Sequence, residues 1–139
     1  ESIKGEKKLN QFIEEVKKKY NINNDKICLT GFSQGCMMSI NLGLTANIEY
    51  NCIVGFSGKI INQNDLKLRK KVATRTLLIH GDSDQVVSPS FLLEAKDFFI
   101  RNNVDIETHI IKRCDHHIPI EASSIALKYI NKNFNVSNH

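Results

Sequence analysis

Runs of apolar, β-prone residues alternate with helical segments along this chain, and that alternation limits what the chain can fold into. The runs occupy residues 26–30, 52–56, 76–80 and 105–112. Strands that are apolar on both faces are typical of a parallel sheet that is covered by helices on both sides. The sequence therefore predicts an α/β fold with a parallel sheet of about four strands flanked by helices.

Apolar residues at helical spacing place a helix before, between and after the strands. The first three predicted helices cover residues 9–20, 34–46 and 66–71. A fourth starts with Ser88 as N-cap and Pro89 as first helical residue, and a fifth runs from residue 121 on. In open parallel sheets, ligands bind beyond the carboxyl ends of the strands. We therefore expect the chemistry of this protein in the residues that directly follow each strand.

Composition and charge indicate one globular domain and argue against several other classes of protein. The chain has 139 residues, of which 41% are hydrophobic and 24% charged, and its formal net charge is +4. The lysine clusters lack interleaved aromatic residues, as expected of a solvated helix face rather than of a nucleic-acid surface. The purely apolar runs are far shorter than the roughly 18 residues of a membrane span. The four cysteines form no C-x-x-C pair, which predicts reduced thiols and a cytoplasmic location.

The segment Gly31-Phe32-Ser33-Gln34-Gly35 joins a predicted strand to a predicted helix and matches the G-x-S-x-G nucleophile elbow. In such an elbow the serine occupies a strained turn, and we expect both flanking glycines to be needed to avoid clashes. The helix that starts at Gln34 points its positive end at a developing oxyanion, and the Gln34 amide supplies one donor. The alternative is a plain strand-to-helix turn without catalytic function.

A serine nucleophile needs a base, and a histidine base needs a carboxylate that holds its tautomer and orientation. Asp84, in the loop after the third predicted strand, is the first candidate for this carboxylate. Asp82 competes with it, although its position closer to the strand also suits a residue that braces the turn. His80, at the strand end itself, is interpreted as a buried and hydrogen-bonded histidine.

Two neighbouring histidines, His116 and His117, follow the last predicted strand and are the candidates for the base. The order Ser, Asp, His along the chain is that of α/β-hydrolases. Together with Cys114 and Asp115 the histidines also make a set of zinc-ligand types, but adjacent residues rarely converge on one ion and no second cluster is evident. We therefore predict no metal and no other cofactor, with ordinary loop histidines as a further alternative.

These segments resemble those of the phospholipase/carboxylesterase family, which includes the acyl-protein thioesterases. The likeness covers essentially the whole chain and is carried by the elbow, Phe56-Ser57-Gly58, residues 77–87 and Asp115-His116-His117-Ile118. It implies a hydrolase of carboxylic esters or acyl thioesters that works through an acyl-enzyme on Ser33. It also implies Asp84 as the orienting acid and His116 as the base, with His117 as the second candidate.

Two residues depart from the family pattern. Cys36 and Asp115 stand where relatives tend to have glycine, and we expect them to loosen or reshape the site. Met37, Met38 and Ile118 are candidates for lining an apolar acyl pocket, with the alternative that the two methionines are core residues, as methionines within a helix more often are.

The resemblance also implies a missing part. Members of the family have an early strand whose loop supplies the second oxyanion amide, whereas this sequence begins in what corresponds to the helix before the nucleophile strand. We therefore expect residues 1–139 to form one domain, the C-terminal part of an α/β-hydrolase fold, without the N-terminal strands and oxyanion loop. A partner chain or a homodimer would then cover the exposed sheet edge. The alternative to an active esterase is a non-catalytic or partner-dependent remnant of one.

Overall fold

Helices and strands alternate strictly along residues 2–137, the part of the chain that the computed structural model describes. The strands are β1 Cys28–Phe32, β2 Cys52–Phe56, β3 Thr76–Gly81 and β4 Ile106–Ile111. The helices are α1 Ser2–Tyr20, α2 Gln34–Thr45, α3 Gln63–Arg69, α4 Ser90–Arg101 and α5 Ile120–Ser137. The predicted α/β architecture with four strands is thereby confirmed.

Several element boundaries differ from the prediction, and α1 begins at Ser2, before the predicted residue 9. For β1 and α3, local turns and caps explain the difference. β1 begins and ends two residues later than predicted, after a 3-10 turn at Asn24–Lys26, so that Ser33 directly follows the strand. α3 starts earlier than predicted, because the Asn62 side chain accepts a hydrogen bond of 3.0 Å from the Asp65 N–H and caps the helix there.

The sheet is entirely parallel, with its strands in the order β1-β2-β3-β4. When strands that follow one another along the chain also lie side by side, right-handed crossovers put every connecting helix on the same face. α2, α3 and α4 accordingly form one core with Ile53 and Leu78. α5 covers the opposite face, where it packs against Val54 and Leu77. The carboxyl ends of all four strands therefore meet at one edge, where the site residues lie.

The position of each strand in the sheet explains its sequence. β2 and β3 are buried along their whole length, since helices cover both of their faces, and both strands are accordingly apolar almost throughout. β4 is an outer strand and is partly exposed along most of its length. It accordingly tolerates Glu107 and His109, whose side chains pair at 2.9 Å.

Cys36 fills a space between α2 and the sheet that two glycines leave open. The residue is 1% exposed, and a Cβ added to Gly55 or Gly58 would lie 2.3 Å or 2.6 Å from the Cys36 Sγ. Burial raises the pKa of the thiol to about 12, against a smaller lowering by a hydrogen bond with the Gly58 backbone. The expectation that Cys36 loosens the site is therefore not met, because its neighbours make room for a larger residue.

This packing predicts a coupled effect on stability. Gly55→Ala is expected to lower the free energy of unfolding by about 1–3 kcal/mol, because its methyl group would overlap the Cys36 Sγ. Cys36→Ala removes that atom, so the double variant should lose less than the sum of the two single variants. Gly35→Ala is the matched control, since a Cβ there meets nothing within 4 Å. Urea unfolding measures these differences, and strictly additive losses would contradict the packing described here.

Candidate active site

Ser33 lies in the turn between β1 and α2, in a backbone conformation that residues with a side chain rarely adopt. Its φ is 55° and its ψ is −113°, which is the strained turn that the elbow motif predicts. The Ser33 N–H donates to the Phe56 carbonyl at 2.8 Å, and the Ser33 carbonyl accepts from the Cys36 N–H at 3.0 Å. These hydrogen bonds tie the serine to the neighbouring strand and to the first turn of α2.

Of the two glycines that flank Ser33, the packing requires one. A Cβ on Gly31 would lie 2.3 Å from the carbonyl carbon and oxygen of Gly35, so a larger residue cannot fit at position 31. A Cβ on Gly35 would meet no atom of the described residues within 4 Å outside the adjoining residues and the nearby backbone of its own helix. The prediction that both glycines avoid a clash is therefore wrong for Gly35, because position 35 faces open space.

His116 is the histidine that the structure brings to Ser33. Its Nε2 lies 3.0 Å from the Ser33 Oγ, and its Nδ1 lies 2.7 Å from the Asp84 Oδ2. Because a carboxylate only accepts hydrogen bonds, His116 carries its proton on Nδ1, and its Nε2 accepts the hydrogen bond of the Ser33 hydroxyl. The Phe32 ring lies against the imidazole with 4.7 Å between the ring centroids, which limits the rotation of the histidine.

Asp84 is a fully buried carboxylate whose oxygens are all engaged. Its side chain is 0% exposed, and its Oδ1 accepts hydrogen bonds from the N–H groups of Val86 at 2.9 Å and Val87 at 2.8 Å. Burial works to raise the pKa of Asp84, but the hydrogen bonds from His116 and the two amides outweigh it and hold the pKa below its ordinary value. The ionised carboxylate can therefore orient the imidazole at neutral pH.

The two amide donors to Asp84 are functional groups that the sequence analysis missed. A signal for them exists, because an Asp side chain that accepts hydrogen bonds from backbone N–H groups two and three residues ahead is a common way to shape a turn. The run from Asp84 to Val87 has that spacing. The side-chain identities of Val86 and Val87, however, say nothing about the direction of their N–H groups.

The loops after β3 and β4 approach each other closely, which brings the carboxylate and the imidazole together. A Cβ on Gly81 would lie 2.2 Å from the Cys114 carbonyl oxygen, and the Ser83 N–H donates to the same carbonyl at 2.9 Å. Asp82 braces this crossing, since its Oδ1 accepts from the Ser83 hydroxyl at 2.9 Å and from the Cys114 N–H at 3.4 Å. Of the two candidate acids, Asp84 is the one that faces the histidine.

His117 and Asp115 pair with each other at the surface. The His117 Nδ1 contacts the Asp115 Oδ1, and the two side chains are 55% and 74% exposed. Asp115 does not strain the loop, because the left-handed residue of this segment is Arg113, with a φ of 53°. The expectation that Asp115 reshapes the site stays a prediction. Within residues 2–137, no group of three or more His, Cys, Asp or Glu side chains is placed to hold a metal ion.

Gln34 is the first residue of α2, at the end of the helix that carries partial positive charge. A backbone N–H at a helix start has no carbonyl in the preceding turn to accept its hydrogen bond. The Gln34 amide thus lies next to Ser33, at the start of the helix.

The predicted acyl-pocket residues divide into two groups. Met37 is half-buried in the first turn of α2, where its N–H donates to the Ser33 carbonyl at 3.2 Å, and Ile118 is 38% exposed two residues after the histidine. Met38 packs instead with Leu42 and Tyr50 in the core beneath α1. The prediction for Met38 is therefore wrong, because one step along a helix moves a side chain to a different face.

The pKa of Asp84 predicts how stability depends on pH. Since the folded-state pKa lies below that of an unfolded Asp, at about 3.9, the ionised carboxylate stabilises the fold above about pH 4. This contribution is lost as the pH falls through the folded-state pKa. We expect the difference in unfolding free energy between the wild type and Asp84→Asn to shrink as the pH falls from about 5 through the folded-state pKa, measured by urea unfolding. A difference that does not change with pH would contradict this assignment.

Comparisons with known proteins agree with this fold and this set of motifs. Residues 3–134 match the model of the family described as Phospholipase/Carboxylesterase. Over 116 residues the chain is 28% identical to acyl-protein thioesterase 1 of Yarrowia lipolytica, a match that covers 78% of this chain and 50% of that protein. The chain therefore spans about half the length of this curated relative.

Solved structures show the same architecture. Esterase PE8 superposes with a TM-score of 0.91 at 27% identity, covering 94% of this chain and 61% of that one. SOBER1 of Arabidopsis thaliana superposes with a TM-score of 0.84 at 18% identity, covering 99% of this chain and 65% of that one; at this identity the likeness concerns the fold alone. From the family match over residues 3–134 and the α/β-hydrolase architecture, the chain belongs to the phospholipase/carboxylesterase family.

Proposed function

We propose that this chain carries the catalytic residues of a serine hydrolase that cleaves carboxylic esters or acyl thioesters. Ser33 is the nucleophile, His116 the general base and Asp84 the acid that orients the base. The observation that carries the proposal is the continuous hydrogen-bonded line between these three side chains, which come from the ends of three different strands. The family to which the chain belongs supports the same chemistry.

In the acylation step, the Ser33 Oγ forms a bond to the acyl carbonyl carbon while the His116 Nε2 takes the hydroxyl proton. The charge that develops on the carbonyl oxygen is stabilised by the Gln34 N–H and the positive end of α2. His116 then protonates the leaving alkoxide or thiolate as its bond to the acyl carbon breaks. Asp84 stabilises the imidazolium during this exchange.

Deacylation repeats the same steps with water in place of the serine. His116 takes a proton from the attacking water, the bond between the acyl carbon and the Ser33 Oγ breaks, and the serine recovers its proton. Met37 and Ile118 are proposed to contact the acyl chain, since they flank the nucleophile turn and the histidine loop and are partly exposed.

A fluorophosphonate probe tests the activated nucleophile directly. We expect one probe molecule to attach per chain, at Ser33, since only a serine beside a base reacts at an appreciable rate. Intact mass before and after the reaction, followed by peptide mapping, identifies the site. Ser33→Ala is the control. Labelling of Ser33→Ala at the wild-type rate, or no labelling of the wild type in any assembly, would contradict the proposal.

The second candidate is an esterase core that works only with a further chain segment or partner. The observation that favours it is that β1, the strand before Ser33, pairs on one side only, with β2, and ends with an exposed Phe32. A second copy or another chain would supply strands to this edge. Native mass spectrometry of the labelled sample separates the candidates: labelled monomers support the first, and label confined to a larger assembly supports the second.

We further propose a cytoplasmic location. All four cysteines are free, as expected in a reducing compartment. Among the described residues, the structure has no helix with the length and apolarity required to span a membrane.

A further inference from the structure

His80 is a buried polar side chain at the end of β3, a strand that is otherwise mostly apolar. It is 1% exposed, and its Nε2 lies 2.8 Å from the Val87 carbonyl oxygen, which confirms its interpretation as a buried and hydrogen-bonded histidine. A carbonyl oxygen only accepts hydrogen bonds, so His80 carries a proton on Nε2 and donates it. His80 therefore does more than fill space in the core, because its N–H group holds the backbone at Val87.

The same ring nitrogen also lies near the proposed catalytic acid. The His80 Nε2 lies 3.4 Å from the Asp84 Oδ2, the oxygen that accepts the hydrogen bond from His116. At that distance the contact with Asp84 is weaker than the bond to Val87, but both groups are buried and the interaction is poorly screened by water. Nitrogen atoms of two imidazoles thus lie within 3.4 Å of one carboxylate oxygen.

Val87 links His80 to Asp84 through its backbone. Its N–H donates to the Asp84 Oδ1 at 2.8 Å, and its carbonyl accepts from His80. The histidine therefore holds the backbone of the segment that supplies the amide donors, and its Nε2 lies close to the other carboxylate oxygen. A buried carboxylate keeps its charge and its direction only when such donors surround it.

We propose that His80 is a positioning residue that fixes Asp84, and through Asp84 the imidazole of His116, in the orientation that faces Ser33. The contribution of His80 to catalysis rests on the hydrolase function proposed above. His80 acts through its Nε2–H and makes no contact with the reacting atoms. Substitution of His80 is therefore expected to leave substrate binding unchanged and to slow proton transfer from Ser33.

The test compares three substitutions of His80. His80→Leu removes the donor, His80→Asn keeps an amide that is too short to reach Val87, and His80→Gln places an amide N–H near the position of Nε2. We expect kcat for a p-nitrophenyl ester to fall about 10- to 100-fold in the Leu and Asn variants, with KM within about twofold and substantial recovery in the Gln variant. The Asn variant keeps the test valid where the Leu variant fails to fold.

The matched control is His109→Leu, which removes a histidine from the outer strand β4, where it pairs with Glu107. It is expected to leave kcat unchanged. Wild-type kcat in a folded Leu or Asn variant, or equal loss in the Gln, Asn and Leu variants, would overturn the assignment to the Nε2 donor.

A readout without turnover separates this proposal from the proposed function. The His116 Nδ1–H, hydrogen-bonded to Asp84, is expected to give a downfield proton resonance that His116→Gln lacks. The resonance should persist in His80→Gln and weaken or disappear in folded His80→Leu and His80→Asn. If the protein has no esterase activity but the resonance behaves in this way, the positioning role of His80 is supported and the proposed function is not. An unchanged resonance in folded His80→Leu or His80→Asn would overturn the positioning role.

Discussion

Ser33→Ala is expected to lower kcat for hydrolysis of a short-chain p-nitrophenyl ester by at least about a thousandfold. The variant lacks the Oγ that is proposed to form the acyl-enzyme, whereas the His116–Asp84 pair and the start of α2 remain in place. Spectrophotometric release of p-nitrophenol measures the effect, and urea unfolding shows whether the fold is kept. Since alanine has almost the same backbone preferences as serine, we expect no large change in stability.

Ser57→Ala is the matched control for this experiment. Ser57 follows β2 as Ser33 follows β1, and its φ of 56° is nearly the same as that of Ser33. The proposed mechanism gives Ser57 no part in proton transfer, so its variant should keep most of the activity. Equal rates for the wild type and Ser33→Ala would remove the basis of the proposed function.

Asp84→Asn is expected to lower kcat by about ten-thousandfold. Two backbone N–H groups point at the Oδ1 position, so the amide oxygen of an asparagine must take that place and its NH₂ group must face His116. The imidazole then has to accept at Nδ1 and to carry its proton on Nε2. In that tautomer His116 cannot take the proton of Ser33.

Asp82→Asn controls for loss of charge in the same loop. Asp82 is exposed and accepts hydrogen bonds from Ser83 and Cys114, so its variant is expected to lose less than about tenfold in kcat. Stopped assays over a range of enzyme concentrations measure the slow Asp84 variant. If the two variants lose activity to the same extent, the orienting acid has been assigned wrongly.

The spacing of residues along the chain does not show which of two neighbouring acids, or which of two neighbouring histidines, faces Ser33. Asp82 and Asp84, like His116 and His117, are close neighbours in loops, where a step of one or two residues turns a side chain to another side. The close approach of Gly81 to the Cys114 carbonyl decides which of them meet. That contact joins loops more than thirty residues apart in sequence, and no local pattern encodes it.

The two departures from the family pattern illustrate the same limit. Cys36 was expected to disturb a tight turn, but its effect depends on Gly55 and Gly58, which belong to the neighbouring strand and its loop. Asp115 was expected to loosen or reshape the site, but the residue with left-handed backbone in its loop is Arg113. The structural effect of each of these residues depends on backbone geometry elsewhere in the fold, which the local sequence does not show.

The sequence by itself determined the parallel sheet, the place of its chemistry and the strained serine turn. Strands buried on both faces must be apolar throughout, and the nucleophile turn needs Gly31 because its Cβ position is filled by the next helix. These are local constraints, and local constraints leave a pattern along the chain. Only the tertiary structure puts Asp84 and His116 in a hydrogen-bonded line with Ser33. It also places His80 beside Asp84. Hydrogen bonds between loops from different strands have no period and no fixed spacing, so they become visible only when the strands lie side by side.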